Sequence, residues 1–329
     1  MNRKIWVATI MKLTSKNLKN FCIIKRVLMI LLFLGCNIIN PAFGRTYTIP
    51  SDGGDIVGEM QTTVVRKGES LGDIGRRFDV GVYEMIEANP KLNPWVPPVG
   101  AVVLVPTQFI LPKPRVGMVL NLAEMRLYYF HPDKRLVTTH PIGIGQKKQG
   151  SPSPLGQSVI INKKKDPPWY PPASIRQEHV EKNDILPSFV AGGTPENPLG
   201  RYAFYLSPKG LSIKGSFLIH GTNRPAGIGV RATHGCIRLL PEDIESLFYM
   251  VPIGTPVRII HEPYKVGWHK NRLYLEVHQP LSDAQFAGST SLTALAKVIE
   301  KAISESHLVN WTSAKMAAKS ASGYPVRID

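Results

Sequence analysis

Prolines and glycines interrupt most of this chain so often that few stretches of it could carry a long helix. There are 28 of each among 329 residues, spread without a fixed period. The missing period excludes a collagen-like triple helix, and the density favours short strands joined by turns over a helical bundle. Apolar residues make up 43% and charged residues 19%, a balance that buries real cores and excludes wholesale disorder. At this length the expectation is two domains and an appendage, mainly β or α+β in class.

Residues 1–44 stand apart. They carry seven basic side chains and no acidic one. Val27–Ile39 is a nearly unbroken apolar run of 13, short of the roughly 20 residues that cross a bilayer as a helix. Ala42-Phe43-Gly44 follows, small at its first and third places. A basic segment, a short apolar segment and a small-residue site read as an export signal cleaved after Gly44. An uncleaved anchor and a lipoprotein signal ending at Gly35-Cys36 are the competing readings.

Without these residues the chain holds 33 basic and 24 acidic side chains, a net of +9. No Lys/Arg run with interleaved aromatics marks it as a nucleic-acid binder. A wall polymer carrying carboxylates suits the charge better. Cys22 and Cys36 fall in the leader, so the mature chain keeps one thiol, Cys236. A lone exported cysteine has no internal disulfide partner. It is either buried and inert or kept for its chemistry.

After a turn-rich, extended stretch at 45–61, a small module is expected over 62–106. Val64-Val65 reads as a strand. Ser70 and Asp73 have the spacing of a capping box, and Leu71, Ile74 and Phe78 follow at helical intervals. A second helix over about 82–88 stops ahead of Pro90, and 101–105 reads as the closing strand. This βααβ module has its own apolar set and is followed by the proline-containing linker 107–115, which makes it look separable. Beyond it, strands are expected at 118–122 and 126–130 as a hairpin, then at 136–144, 157–162, 202–206, 216–219 and 256–260. The proline-dense segment 163–200 is long for a compact domain and reads as a lid over substrate, with a plain surface excursion as the alternative. Ile244, Leu247, Phe248 and Val251 form one face of a helix that starts at Pro241. Past residue 262 the pattern gives a strand at 273–277, a helix from about 291 to 305 and a basic tail.

The chemistry concentrates in Ile219–Leu239, IHGTNRPAGIGVRATHGCIRL, which holds two of the nine histidines and the single mature thiol. A thiol at its ordinary pKa is mostly protonated at neutral pH. A nearby imidazole can take its proton, which supports acyl transfer. His220 and His234 can both be brought near the sulfur. Gly235 permits a turn that aims the amides of 234–236 at one point, as an oxyanion hole requires. Arg238 is placed to grip a carboxylate with two hydrogen bonds. A zinc site built from His220, His234 and Cys236 uses permissible ligand types, and an inert buried thiol is a third reading.

The frame His220-Gly221, with Thr233-His234-Gly235-Cys236-Ile237-Arg238 beginning twelve positions after Gly221, resembles the signature of the L,D-transpeptidases, the family with a YkuD-type catalytic domain. The segments AEMRLYYF (123–130), PIGIGQ (141–146) and NPLGRYAF (197–204) agree with it. Residues 62–106 resemble a LysM domain through KGESLGDIGRRF, EMIEANP and VLVP. Thr233 stands where serine is commoner, and both keep a hydroxyl. The chain as a whole is similar to the periplasmic ErfK/YbiS branch.

The resemblance implies a β-rich catalytic domain at 116–261, a LysM-like βααβ domain at 62–106 and a C-terminal extension at 262–329. Cys236 would be the nucleophile and His220 its proton acceptor and donor. The Gly221 carbonyl would hold the His220 tautomer, His234 and Gly235 would support the site, and Thr233 and Arg238 would bind substrate, without metal or cofactor. The implied reaction is a two-step acyl transfer on peptidoglycan. Cys236 takes the tetrapeptide stem at the L-centre of diaminopimelate and expels D-alanine, and an amine then attacks the thioester. The acceptor would be a lysine of an outer-membrane lipoprotein or another diaminopimelate. With water as acceptor the enzyme is an L,D-carboxypeptidase, and a related branch releases lipoprotein. The reading from a different class is a non-catalytic LysM-type wall adaptor. Trapping by carbapenems is also implied.

Overall fold

The computed structural model describes residues 44–146, 152–210, 217–279, 281, 291–303 and 307–329. All of the expected leader except Gly44, including its apolar run and Cys22 and Cys36, lies outside the described residues, as does the far end of the helix expected to run to 305. No helix among the described residues is long and apolar enough to cross a membrane.

The strands in chain order are β1 Arg45–Thr48, β2 Ile56–Gly58, β3 Gln61–Val64, β4 Val102–Val105, β5 Gln108–Ile110, β6 Gly117–Asn121, β7 Arg126–Phe130, β8 Leu136–Pro141, β9 Ile144–Gly145, β10 Gly156–Lys165, β11 Tyr202–Leu206, β12 Phe217–His220, β13 Arg231–Thr233, β14 Ile237–Arg238, β15 Pro256–Ile260, β16 Tyr264–His269, β17 Arg272–Val277 and β18 Val326–Arg327. The helices are α1 Leu71–Arg77, α2 Val82–Ala88, α3 Ala173–Val180, α4 Pro241–Met250, α5 Leu292–Ala302 and α6 Trp311–Ser320.

Nine strands form one sheet in the order β1-β8-β7-β6-β15-β10-β11-β12-β14. The hairpin β6–β7 is antiparallel as expected, with Leu120 opposite Leu127. Its residues are buried on both faces. Met118, Leu120, Leu127 and Tyr129 pack into the main core, while Val119, Tyr128 and Phe130 pack into a second one against Val57, Phe109 and Leu111. Successive strand residues point to opposite faces, so a two-sided core demands the continuous apolar run seen here. Helix α4 closes the main core with Ile244, Leu247 and Val251, as its spacing predicts.

Strands β3 and β4 pair antiparallel, Gln61 opposite Val105, and enclose α1 and α2 around Leu71, Ile74, Val80 and Met85. Ser70 caps α1 reciprocally: the Asp73 amide donates to Ser70 Oγ at 3.1 Å, and the Ser70 amide donates to Asp73 Oδ2 at 2.9 Å. The module thus has its own core, but it is not set apart from the sheet. Arg126 of β7 is buried and paired with Glu84 of α2, Nε to Oε1 and Nη2 to Oε2, both at 2.8 Å. A cavity of about 210 Å³ follows the seam, lined by Arg76 and Trp95 on one side and Pro225 and Ile228 on the other.

The region past residue 262 is more ordered than a helix and a basic tail. The hairpin β16–β17 turns at Lys270-Asn271, both with positive φ, and β18 adds to β17. With α5 and α6 it encloses a core of Leu273, Leu275, Leu295, Ile299 and Ala314. The turn residues Lys270 and Asn271 include no glycine, which is why no hairpin signal stood out. Helix α6 is weakly amphipathic and rich in alanine and lysine, so it read as tail. Strand β10 runs on to Lys165, and the excursion after it carries α3, hidden among the prolines. Strand β1 likewise emerges from the stretch expected to be merely extended, pairing with β8.

Candidate active site

Strand β12 ends in His220, and its backbone pairs with β14 in parallel register, Ile219 beside Ile237 and His220 beside Arg238. Cys236 is the residue just ahead of β14. Alternation along the two strands therefore puts Cys236, Arg238 and His220 on one side of the sheet, with Cys236 diagonal to His220. The turn that delivers the cysteine is built around Gly235, whose φ of +108° is a conformation that suits glycine. Gly143 of the PIGIGQ segment flanks β14 through a two-way backbone bridge to Arg238, at 2.8 and 2.9 Å.

His220 is buried, and its Nδ1 lies 2.7 Å from the Gly221 carbonyl oxygen. A carbonyl only accepts, so Nδ1 carries the proton and Nε2 keeps its lone pair. Burial, reinforced by the Arg238 charge, pushes the imidazole down to about 4. Burial also pushes the Cys236 thiol up, against the opposing pull of the Leu218 backbone and Arg238. Both shifts favour the neutral forms, thiol and imidazole.

Three expected roles change. Thr233, expected to bind substrate, is buried and spends its hydroxyl inside the turn: Oγ1 donates to the Cys236 carbonyl at 2.6 Å and accepts the Gly235 amide at 3.1 Å. Gly235 therefore shapes the turn and does not offer its amide to an oxyanion. His234 points away to the excursion, its Nε2 2.8 Å from Glu178 Oε2 of α3. His220, His234 and Cys236 do not converge as a ligand set; among the described residues the His/Asp/Glu clusters compact enough for an ion lie elsewhere. Arg238 keeps a buried Nε without a partner and gives Nη1 to the Ala232 carbonyl at 3.3 Å. Burial lowers its pKa, and the like charge of Arg224 adds to that.

Sequence reasoning missed Glu178, Arg224 and Ser153. Ser153 Oγ donates to the Gly235 carbonyl at 2.7 Å and accepts the Gly145 amide at 3.0 Å, bracing the cysteine turn against β9. Arg224 lies inside the His-Gly loop, but no spacing singles it out. The other two gave no signal.

Comparison with known proteins agrees with this architecture. Residues 115–259 match the family model of the YkuD L,D-transpeptidase catalytic domain, and residues 63–106 match that of the LysM domain. The chain is 42% identical to the Escherichia coli K12 protein named probable L,D-transpeptidase YcfS, over 74% of this chain and 75% of that one. It is 37% identical to probable L,D-transpeptidase YbiS of the same strain, over 86% and 92% of the two chains. With probable L,D-transpeptidase ErfK/SrfK the identity is 37%, over 86% and 90%. A sheet that presents the His-Gly and His-Gly-Cys segments side by side, joined to a LysM module and matched along most of its length, makes this chain a member of the L,D-transpeptidase family.

Proposed function

We propose that the protein is a periplasmic cysteine L,D-transpeptidase that acts on peptidoglycan tetrapeptide stems. The observation that carries this reading is the parallel β12–β14 pair, which gathers His220, Cys236 and Arg238 while the Gly221 carbonyl fixes the imidazole tautomer. Cys236 attacks the stem carbonyl as its proton passes to His220 Nε2. The thiol starts protonated, so attack and proton transfer are coupled. The Cys236 and His234 amides stabilise the oxyanion. His220 returns the proton to the departing D-alanine amine, leaving a thioester. The acceptor amine then attacks that thioester and gives up a proton to the same nitrogen. Arg238, with Arg224 near it, orients the stem carboxylate. Residues 62–106 hold wall glycan, residues 116–261 carry the chemistry, residues 262–329 brace them, and residues 1–44 are removed on export. The acceptor is a lipoprotein lysine or a second diaminopimelate.

The test is an incubation of purified protein with tetrapeptide muropeptides, with and without an acceptor lipoprotein, read by mass spectrometry. Release of D-alanine with a new amide product is expected. Release with water addition alone makes the enzyme a carboxypeptidase, and no release favours the adaptor reading.

A further inference from the structure

Asp79, His140 and Asp243 meet where the LysM residues, the sheet edge and α4 come together, and all three are buried. His140 Nδ1 lies 3.1 Å from Asp243 Oδ1 and 3.7 Å from Asp79 Oδ2. Neither contact is aligned as a hydrogen bond. Both ring nitrogens are buried without a hydrogen-bond partner, and the Asp79 and Asp243 carboxyls meet no hydrogen-bond donor beyond each other and the Arg45 amide. Burying carboxylates unpaired is unfavourable, and burial together with the mutual charge raises Asp79 to about 7. The neighbouring cation, Arg126, is already spent on Glu84, Thr139 Oγ1 and the Asp79 carbonyl. The cluster has the makings of a cation site.

One further polar atom approaches it. The Arg45 backbone nitrogen is 3.3 Å from Asp79 Oδ2. Arg45 is the first residue of β1 and pairs with Thr139, next to His140. Gly44 lies so close against the His140 ring that no side chain fits there. The sequence places export cleavage at this same peptide bond. Hydrolysis adds water across Gly44–Arg45, leaving a carboxylate on the departing leader and an ammonium on Arg45. We propose that this new α-ammonium is the cation the cluster is built for, bound by the Asp79 carboxylate, with Asp243 and His140 behind it. Removal of the leader then completes the buried seam between the LysM module, the sheet edge and α4. Before processing, the same position offers one neutral N–H. Afterwards it offers a charged donor, and charged hydrogen bonds in a low-dielectric setting are the strong ones.

The inference rests on cleavage after Gly44, so the experiment reads cleavage and docking separately. The full chain is exported from a bacterial host with its own leader, alongside a variant with one glycine inserted between Gly44 and Arg45. Intact mass gives each N-terminus and thermal unfolding gives each Tm. Both chains are expected to be cut after Gly44, with the insertion lowering Tm by about 4 °C or more, the scale of a lost charged hydrogen bond in a chain this long. In an Asp79→Asn background the same insertion is expected to shift Tm by less than about half as much, because the two changes act on one contact. If the chain begins at Arg45 and the insertion leaves Tm unmoved, docking is wrong and cleavage stands. If it begins elsewhere, both fall. A stoichiometric metal whose chelation lowers both Tm values equally makes that ion the occupant and overturns the proposal.

Discussion

Cys236 and His220 are held in forms that make them reactive only together. With the imidazole down at about 4, the neutral base is present from that pH upward. The acid limb of kcat/KM is therefore expected near pH 4–5, well below the ordinary histidine range, and a limb near 6.5 would move the base role to another group. The raised thiol gives the opposite sign on the alkaline side. Alkylation by iodoacetamide should be slow at pH 7 and keep rising beyond the ordinary cysteine range; a plateau below pH 8 would reveal a preformed thiolate. His220→Ala should lower turnover by roughly 10²–10⁴-fold, the usual loss with a general base. Cys236 and the two histidines stood out as candidates because they fall within one segment; the choice of His220 as base and the Gly221 tautomer role came only with the family resemblance. Glu178 and Ser153 did not stand out, because each meets the motif only through folding, across 56 and 82 positions.

At the scale of elements, the excursion after β10 and the LysM helices are both tied to the catalytic sheet by side chains the sequence keeps far apart. Asn197 is buried and pins the excursion by donating to the Pro167 and Ala191 carbonyls at 2.9 and 3.0 Å. Glu178 then reaches His234 from α3. That contact is partly solvated, with exposures of 25% and 30% for His234 and Glu178, so Glu178→Gln should change stability by less than about 1 kcal/mol. If α3 lies over bound substrate, the same change raises KM for soluble stems; an unchanged KM would make the segment a surface excursion. The LysM module's βααβ order could be read from its capping box and periodicity. Its attachment could not: Arg126 and Glu84 lie 42 positions apart, and only their pairing explains why both are buried. Glu84→Ala should destabilise the protein by about 3–5 kcal/mol, whereas replacing Glu84 and Arg126 together by apolar residues of similar volume should cost far less. Denaturant unfolding of the three proteins decides between this and a loosely tethered module. Deleting 62–106 is accordingly expected to damage the catalytic domain itself.

Across the whole molecule, the C-terminal region is wedged into the body through a buried charge cluster. Lys265 Nζ is 2.7 Å from both Glu124 and Glu276, the Ile110 amide donates to Glu276 Oε2 at 2.6 Å, and His278 contacts Glu276 and Glu87. Burial pulls His278 down, but the hydrogen bond to Glu276, the nearby Glu87 carboxylate and the Glu124 charge outweigh it and raise it to about 10. A folded value above the unfolded one gives stability that is full below about pH 6.5 and fades as pH rises through 10. Tm should fall across that window, and His278→Gln should flatten the slope; an unchanged slope would remove His278 as its source. The β-rich class was legible in the proline and glycine density and in the short strand-like runs of the central hairpin. The C-terminal core was not, since its strands turn without glycine.

The central claim is that acyl transfer runs through Cys236. A strained acyl donor that cannot depart after ring opening should leave its acyl group on that sulfur. The direct measurement is intact-mass spectrometry after incubation with a carbapenem, followed by peptide mapping. The account predicts one drug per protein, located on the peptide holding Cys236 and absent from a folded Cys236→Ala variant that has also lost all transfer activity. An adduct elsewhere, or transfer surviving in that variant, would contradict it.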